Sequence, residues 1–260
     1  MLQKRLNKGI YYKIAIIKLW RRKLLLVGEI SEITRYPVKS FAGESLESCS
    51  VDTYGLFGDR FCAFLDESKE GWNRFITARD IPKMLGYSAR LINNEISVKS
   101  PNGEIFSWNE DLLKEIQRYT NREISKGDYR APNPQDPKLM SVDTANILIV
   151  TDASLRRLES IWGKPLDKRR FRANIILSLD ENTMDETAWI GKQLSIGDVK
   201  LKVESNCERC SIITLDPDTL ERDVTLLKKV NEQMNLCFGL YASVINLGQI
   251  HVGQKVYLSD

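Results

Sequence analysis

The 260-residue sequence holds a single histidine, His251, and five cysteines at irregular spacings. A structural zinc site takes four nitrogen or sulfur ligands, and Cys49, Cys62 and Cys237 are isolated, so the composition argues against zinc. An odd number of cysteines makes no disulfide framework and fits a reducing, cytoplasmic compartment. No apolar run approaches the ~18 residues that a membrane span requires. The N-terminus also lacks the unbroken apolar centre and small-residue cleavage site of a signal peptide. Charge of one sign is scarce: 38 Lys and Arg against 35 Asp and Glu leave +3. That excess is too small to point to nucleic acid.

What remains is an ordinary soluble composition, long enough for one large or two small domains. Residues 1–23 form a basic leader, in which Lys4, Arg5, Lys8, Lys13, Lys18, Arg21, Arg22 and Lys23 interleave with apolar residues. A solvated leader and a basic amphipathic helix in contact with an anionic membrane surface are both open readings. From Leu24 the pattern is of short strands separated by turn residues: Leu24 to Val38, Leu46 to Val51, Asp59 to Leu65, Arg74 to Thr77, Glu95 to Lys99 and Glu104 to Trp108. Asn109 caps a helix with Leu112, Leu113, Ile116 and Tyr119 on one face. Ala131 to Pro137 holds three prolines in seven residues, which forbids helix and central strand. It marks a join between a domain at 24–130 and one at 138–260, or else a loop over a ligand. Beyond it come a strand from Asn146, a helix capped by Thr151 or Asp152 and closed by Gly163, and a strand from Ala173 to Leu179. The segments at Leu194 and Ile250 share a glycine turn pattern and read as barrel-strand connections. Asp223 to Met234 reads as a helix with Val224, Leu227, Val230 and Met234 inward. The fold class is mostly β, an α+β arrangement of barrels with a few packed helices.

The chemistry concentrates in Ser205 to Thr219, SNCERCSIITLDPDT. Two thiols stand three apart, with Arg209 directly before the second. The β-branched run Ile212 to Thr214 predicts a strand with the thiols at its mouth, stopped by Asp216-Pro217-Asp218. A guanidinium beside a thiol favours the thiolate, and adjacency assigns that influence to Cys210. Thiolates select soft or high-valent metals. A thioredoxin-type pair would open a helix, which a following strand argues against. His251 sits in a strand-end pattern and reads as structural, and Cys49, Cys62 and Cys237 read as packing residues.

CERCSIITLDPDT and the closing GLYASVINLGQIHVGQKVYL resemble the end of a MOSC domain. YPVKS at Tyr36 to Ser40 and GDRF at Gly58 to Phe61 resemble the smaller β-barrel domain that precedes MOSC in the amidoxime reducing components and their bacterial counterparts. FRANI at Phe171 to Ile175 matches a further motif of that family. The resemblance implies a MOSC β-barrel behind an N-terminal β-barrel-like domain, and molybdenum cofactor as the bound group. By motif match it implies Cys210 as the metal ligand and catalytic centre. Lys39, Ser40, Arg60, Thr144, Arg172, Glu208, Arg209 and Tyr241 become cofactor contacts. Glu208 stands where animal relatives have serine, Ala173 where they have proline, and Ala145 replaces a serine. The implied activity is reduction of small N-hydroxylated or N-oxygenated compounds. The sequence ends at Asp260, directly after the last barrel strand, so an external electron-transfer protein of iron–sulfur, flavin or haem type is expected. Without the pyridoxal-phosphate desulfurase domain that stands ahead of MOSC in the sulfurases, this sequence is not expected to mobilise sulfur from cysteine on its own. The rival implication is a carrier of molybdenum cofactor or of a persulfide on Cys210.

Overall fold

The structure, a computed structural model, describes residues 24–128, 145–180, 183 and 185–260. The basic leader, the proline-rich segment and Thr144 lie outside the described residues. The first half supplies β1 (Leu25–Arg35), β2 (Glu44–Leu46), β3 (Ser48–Asp52), β4 (Gly55–Leu56), β5 (Cys62–Asp66), β6 (Phe75–Ile76), β7 (Ser88–Ile92), β8 (Glu95–Lys99), β9 (Ile105–Ser107), α1 (Glu110–Gln117) and β10 (Ile124–Asp128). The second half supplies β11 (Ile147–Thr151), α2 (Asp152–Trp162), β12 (Ile175–Leu179), β13 (Gln193–Ile196), β14 (Val199–Glu208), α3 (Val224–Met234), β15 (Cys237–Asn246), β16 (Gly248–His251) and β17 (Lys255–Ser259).

A closed barrel runs β12-β11-β15-β14-β13-β17-β1 and back to β12, with β2 attached to β1. Its inside and outside follow from the two-residue strand period. In β14, Val199, Leu201 and Val203 are buried while Lys200, Lys202 and Glu204 face water. In β11 every residue is buried: Ile147 and Ile149 point into the barrel core, while Leu148 and Val150 join a second core under α2 and α3. Closure brings β1 against β12 so tightly that a Cβ on Gly28 would stand 2.0 Å from the Ser178 carbonyl oxygen. The first described strand of the chain therefore shares the core of the second half. Leu46 of β2, Cys49 and Val51 of β3 and Leu56 of β4 pack in that core too, and the remainder of the first half has its own, from Val38 and Phe41 to Leu112, Ile116 and Ile124.

The helices begin where their caps predict. Asn109 accepts from the backbone N–H of Asp111 and Leu112, Thr151 from that of Ser154, and Asp223 from that of Thr225. Three sequence expectations need correction. Val224 is 61% exposed, whereas Val230 is buried and Leu227 and Met234 pack half-buried against the same core as expected; Leu226 is buried with them, so the inward face begins two residues later. The turn at Leu194 is a β13–β14 hairpin, but the one at Ile250 joins β16, paired with β3 in a separate sheet, to β17 in the barrel. Finally, Ser211–Thr214 is a 3-10 turn, not a strand. Ile213 N–H bonds back to the Cys210 carbonyl, and Leu215 N–H to that of Ile212. Burial of Ile213 among the residues under α3 outweighs its β-propensity. The strand that carries the thiols is β14, which precedes them. Among the described residues, no helix is long and apolar enough to cross a membrane.

Candidate functional site

Three separated loops meet at one end of the barrel. YPVKS and GDRF are clipped together by backbone: Arg60 N–H bonds to the Tyr36 carbonyl, Cys62 N–H to that of Pro37, and Lys39 N–H to that of Cys62. Tyr36 N–H also donates to Asp59 Oδ1 at 2.7 Å. FRANI is tied to YPVKS by the Tyr36 hydroxyl, which donates to the Ala173 carbonyl at 3.3 Å, and to GDRF by Asn174, whose Oδ1 accepts from Leu148 N–H at 3.1 Å and from Arg60 Nη1 at 3.3 Å. Its Nδ2 donates to the Thr34 carbonyl at 3.3 Å. The third element is the end of β14, where the register against β15 shifts between Asn206 and Glu208. Such a bulge re-aims the side chains that follow.

The cleft so formed is lined by Lys39, Ser40, Arg60, Arg172, Glu208, Arg209, Cys210 and Tyr241, all expected from the sequence. Thr144 lies outside the described residues, and its neighbour Ala145 lines the cleft. Cys210 is half-buried and Cys207 fully buried. Glu208 is exposed at the rim. Thr77, Arg79 and Asn174 line the same cleft and were missed. Asn174 was legible as the residue after Ala173 in the FRANI motif. Thr77 and Arg79 lie outside the four motifs read from the sequence; Thr77 donates through its N–H and its hydroxyl to Asp80.

The cations are fixed by aromatic faces as well as by carboxylates. The Tyr36 ring stands between two guanidiniums, 4.8 Å from Arg60 and 4.3 Å from Arg172. Arg60 also pairs with Asp59, and Arg172 Nη1 donates to the Phe41 carbonyl at 2.7 Å. Lys39, buried, has its ammonium 4.5 Å from the Trp72 ring centre. Burial pushes the Tyr36 phenol above its ordinary value, and the nearby Arg172 pulls the other way. Ser40, Arg60 and Arg172 all have left-handed backbone, with φ of 68°, 50° and 56°. Three such non-glycine residues at one place are stored strain of the kind found at functional sites, about 1–3 kcal/mol each.

Arg209 does not serve the thiol beside it in sequence. Its Nη1 donates to Cys207 Sγ at 2.8 Å and its Nη2 to the Phe171 carbonyl at 2.8 Å. The adjacency argument for Cys210 is therefore corrected: the guanidinium is spent on the buried thiol. Arg209 Nε is buried and has no hydrogen-bond partner among the described residues. Cys49 and Cys62 are buried in the two main cores, and burial pushes the Cys49 thiol up to about 11. Cys237 is half-buried, with its thiol likewise raised by burial. His251 is exposed at the end of β16, away from the cleft lining. Among the described residues, no group of three or more His, Cys, Asp or Glu could hold a metal ion by itself.

The donor set fits a molybdenum pterin: one accessible soft sulfur, cations from both halves of the chain, and a buried guanidinium nitrogen with an unused hydrogen. Long side chains fill much of the cleft, leaving a cavity of about 80 Å³. A ligand of that size therefore requires some of them to swing aside.

Two family models match the chain: the MOSC N-terminal beta barrel domain over residues 27–128 and the MOSC domain over residues 136–257. Curated relatives include mitochondrial amidoxime reducing component 2 of Macaca fascicularis, 27% identical over 91% of this chain and 85% of the relative. Mitochondrial amidoxime-reducing component 1 of Homo sapiens is 26% identical over 92% and 85%. Molybdenum cofactor sulfurase of Drosophila persimilis is 35% identical over 48% of this chain and 16% of the relative. Among solved structures, the YUAD protein of Bacillus subtilis shares the fold, with a TM-score of 0.50 at 13% identity over 90% of this chain and 97% of that one.

Proposed function

This chain belongs to the MOSC-domain proteins that carry the MOSC N-terminal β-barrel domain, and from that premise we propose that it binds molybdenum cofactor and reduces N-hydroxylated or N-oxygenated organic compounds. The observation that carries the reading is the convergence of residues from separated motifs, Lys39, Arg60, Arg172 and Arg209, on one cleft with Cys210. Relatives named amidoxime reducing component, aligned over nearly the whole chain, supply the type of reaction.

In this reading Cys210 ligates the metal, and the cofactor supplies the two-electron redox chemistry. Lys39, Arg60 and Arg172 would hold its phosphate and pterin, the two arginines through their planar forks, and Arg209, whose Nη groups are bonded to Cys207 and Phe171, would offer its Nε–H. Ser40 and Thr144 donate hydroxyl hydrogens, and Glu208, Arg209 and Tyr241 border the ligand. Four cations around one cleft repel one another. Asp59 and the Tyr36, Trp72 and Phe171 rings offset part of that repulsion, and an anionic cofactor offsets more. In the reduction the substrate N–O bond breaks and its oxygen leaves as water. Two electrons come from an external electron-transfer protein and two protons from solvent. A reducing, cytoplasmic setting goes with a soft thiolate ligand.

The test is to purify the protein from cells that make the cofactor, measure bound molybdenum, and supply benzamidoxime with a dithionite-reduced dye. Bound molybdenum and formation of benzamidine are expected. Molybdenum without any reduction would turn the reading to the carrier role that the sulfurase match favours. Protein that takes up no molybdenum would overturn both.

A further inference from the structure

Beside the cleft, the two halves of the chain enclose a roomier cavity of about 430 Å³. That is in the range of small-molecule sites, about 300–1,000 Å³. Its apolar lining comes from Leu85 in the first half and Ile176, Ile212 and Leu215 in the second. Arg172 and Ile212 line both this cavity and the cleft. Ile212 belongs to the 3-10 turn that follows Cys210, so the shared wall stands next to the candidate metal ligand. The cleft itself, at about 80 Å³, has no room for the body of an organic substrate.

The charges around the cavity say what it takes. Lys168 is paired with Glu32, Arg169 with Asp167 and Asp218, and Arg170 with Asp216. Four cations at the cavity, Lys168, Arg169, Arg170 and Arg172, thus stand beside four carboxylates, Glu32, Asp167, Asp216 and Asp218, and the remaining polar lining is hydroxyl: Thr34, Tyr36, Ser45 and Ser88. A site of matched charge with an apolar lining selects an uncharged ligand, because an ion would lose its hydration without gaining a counter-charge.

We propose that this cavity is the substrate pocket. It takes the apolar body of an uncharged N-hydroxylated compound and turns the N–OH end to the wall of Arg172 and Ile212. The inference rests on the reductase reading and adds a direction to it. An amidoxime is uncharged at neutral pH, whereas the amidine formed from it is a cation. Reduction therefore converts a ligand that suits the pocket into one that does not, and product release follows from the change of charge. The competing route is the open groove beside Trp72, which meets the cleft at Thr77 and Arg79.

The experiment measures equilibrium binding of benzamidoxime and of benzamidine to the oxidised, molybdenum-loaded protein without an electron donor. Wild type is compared with two variants that fill the cavity from different elements, Ser88→Phe and Leu85→Trp, and with Asn73→Trp, which fills the groove. Wild type should bind benzamidoxime about tenfold or more tighter than benzamidine. Each cavity-filling variant should weaken benzamidoxime by about tenfold or more, with molybdenum content unchanged, and Asn73→Trp should not. Under turnover, KM for benzamidoxime should rise in the same variants while hydroxylamine, too small to need the pocket, is unaffected. Normal binding in both cavity-filling variants, or weakening by Asn73→Trp alone, overturns the pocket. Benzamidoxime that binds, is blocked by both fillers and is never reduced counts against the reductase reading instead.

Discussion

The two thiols of CERC should separate a structural role from a metal-binding one when each is replaced by alanine. Cys207 is 1% exposed and packs in the core under α2 and α3. Its sulfur accepts the hydrogen bond from Arg209 Nη1 at 2.8 Å. In Cys207→Ala that buried guanidinium keeps Phe171 but loses its second acceptor. A hydrogen bond to a charged group contributes about 1.5–3 kcal/mol, and the donor left behind in the interior adds to the cost. A total of about 2–3 kcal/mol lowers Tm by about 4–12 °C in a chain of this size. Cys210 is only half-buried, and truncation at such a position stays within about 0.5 kcal/mol. The melts should be compared after removal of the cofactor, because ligand binding itself raises Tm. In the loaded proteins molybdenum should be lost from Cys210→Ala and kept by Cys207→Ala. A low Tm in Cys210→Ala with a normal Cys207→Ala would refute the packing argument. Molybdenum retained by Cys210→Ala and absent from Cys207→Ala would refute the ligand assignment.

Arg60→Ala and Arg172→Ala should each loosen the cofactor by about tenfold to a hundredfold, the equivalent of one charge-assisted hydrogen bond. Titration of stripped protein with cofactor checks this, and unchanged affinity in both variants would show that neither arginine holds it. Glu186 gives a pH signature remote from the cleft. Burial raises its carboxyl above the ordinary range despite hydrogen bonds donated by Thr151 and Ser154. A folded-state value above the unfolded one means stability that is full below the unfolded pKa and is lost as pH rises through the folded pKa. The Tm difference between wild type and Glu186→Gln should therefore favour wild type more at pH 4 than at pH 7, and a difference that moves the other way would refute the direction.

Most of what local sequence could say about this chain was readable. Asn109 caps its helix as expected, Thr151 of the two candidates Thr151 and Asp152 caps the next, and the helix expected from Asp223 runs Val224–Met234 with Asp223 as its cap; Glu95–Lys99 is a strand at the expected bounds. What was not readable depends on contacts far apart in sequence. Arg60 and Asn174 are 114 residues apart, and only barrel closure brings them together. Nothing in YPVKS shows that the Tyr36 ring will stand between guanidiniums from two other motifs. Nothing in Leu25–Arg35 shows that this strand completes the barrel of the second half, since its partners Ile175–Leu179 and Lys255–Leu258 lie most of a chain away. The β-branched run after Cys210 misled for the same reason: a propensity measured on a half-buried pleated surface does not apply to a turn wedged under α3.

The partner of Arg209 was different, because its signal was present and the wrong one was used. Adjacency in sequence is not adjacency in a strand, where successive side chains point to opposite faces and residues two apart share one. Being two apart, Cys207 and Arg209 share one face and Glu208 and Cys210 the other; register shifts at Val203/Ser205 and Asn206/Glu208 turn the first pair away from the barrel interior that Val199, Leu201 and Val203 fill, toward the core under α2 and α3. The burial follows that pattern: Cys207 and Arg209 are buried, Glu208 is exposed and Cys210 half-buried. The same period explains how one short segment does two jobs. Its inward pair, thiol and guanidinium, fastens the end of β14 to Phe171 in the FRANI motif. Its outward thiol is left at the cleft, held from behind by a cation that does not compete for it. A metal ligand must be both accessible and fixed, and the CxRC spacing meets both requirements because an odd step changes face and an even one does not.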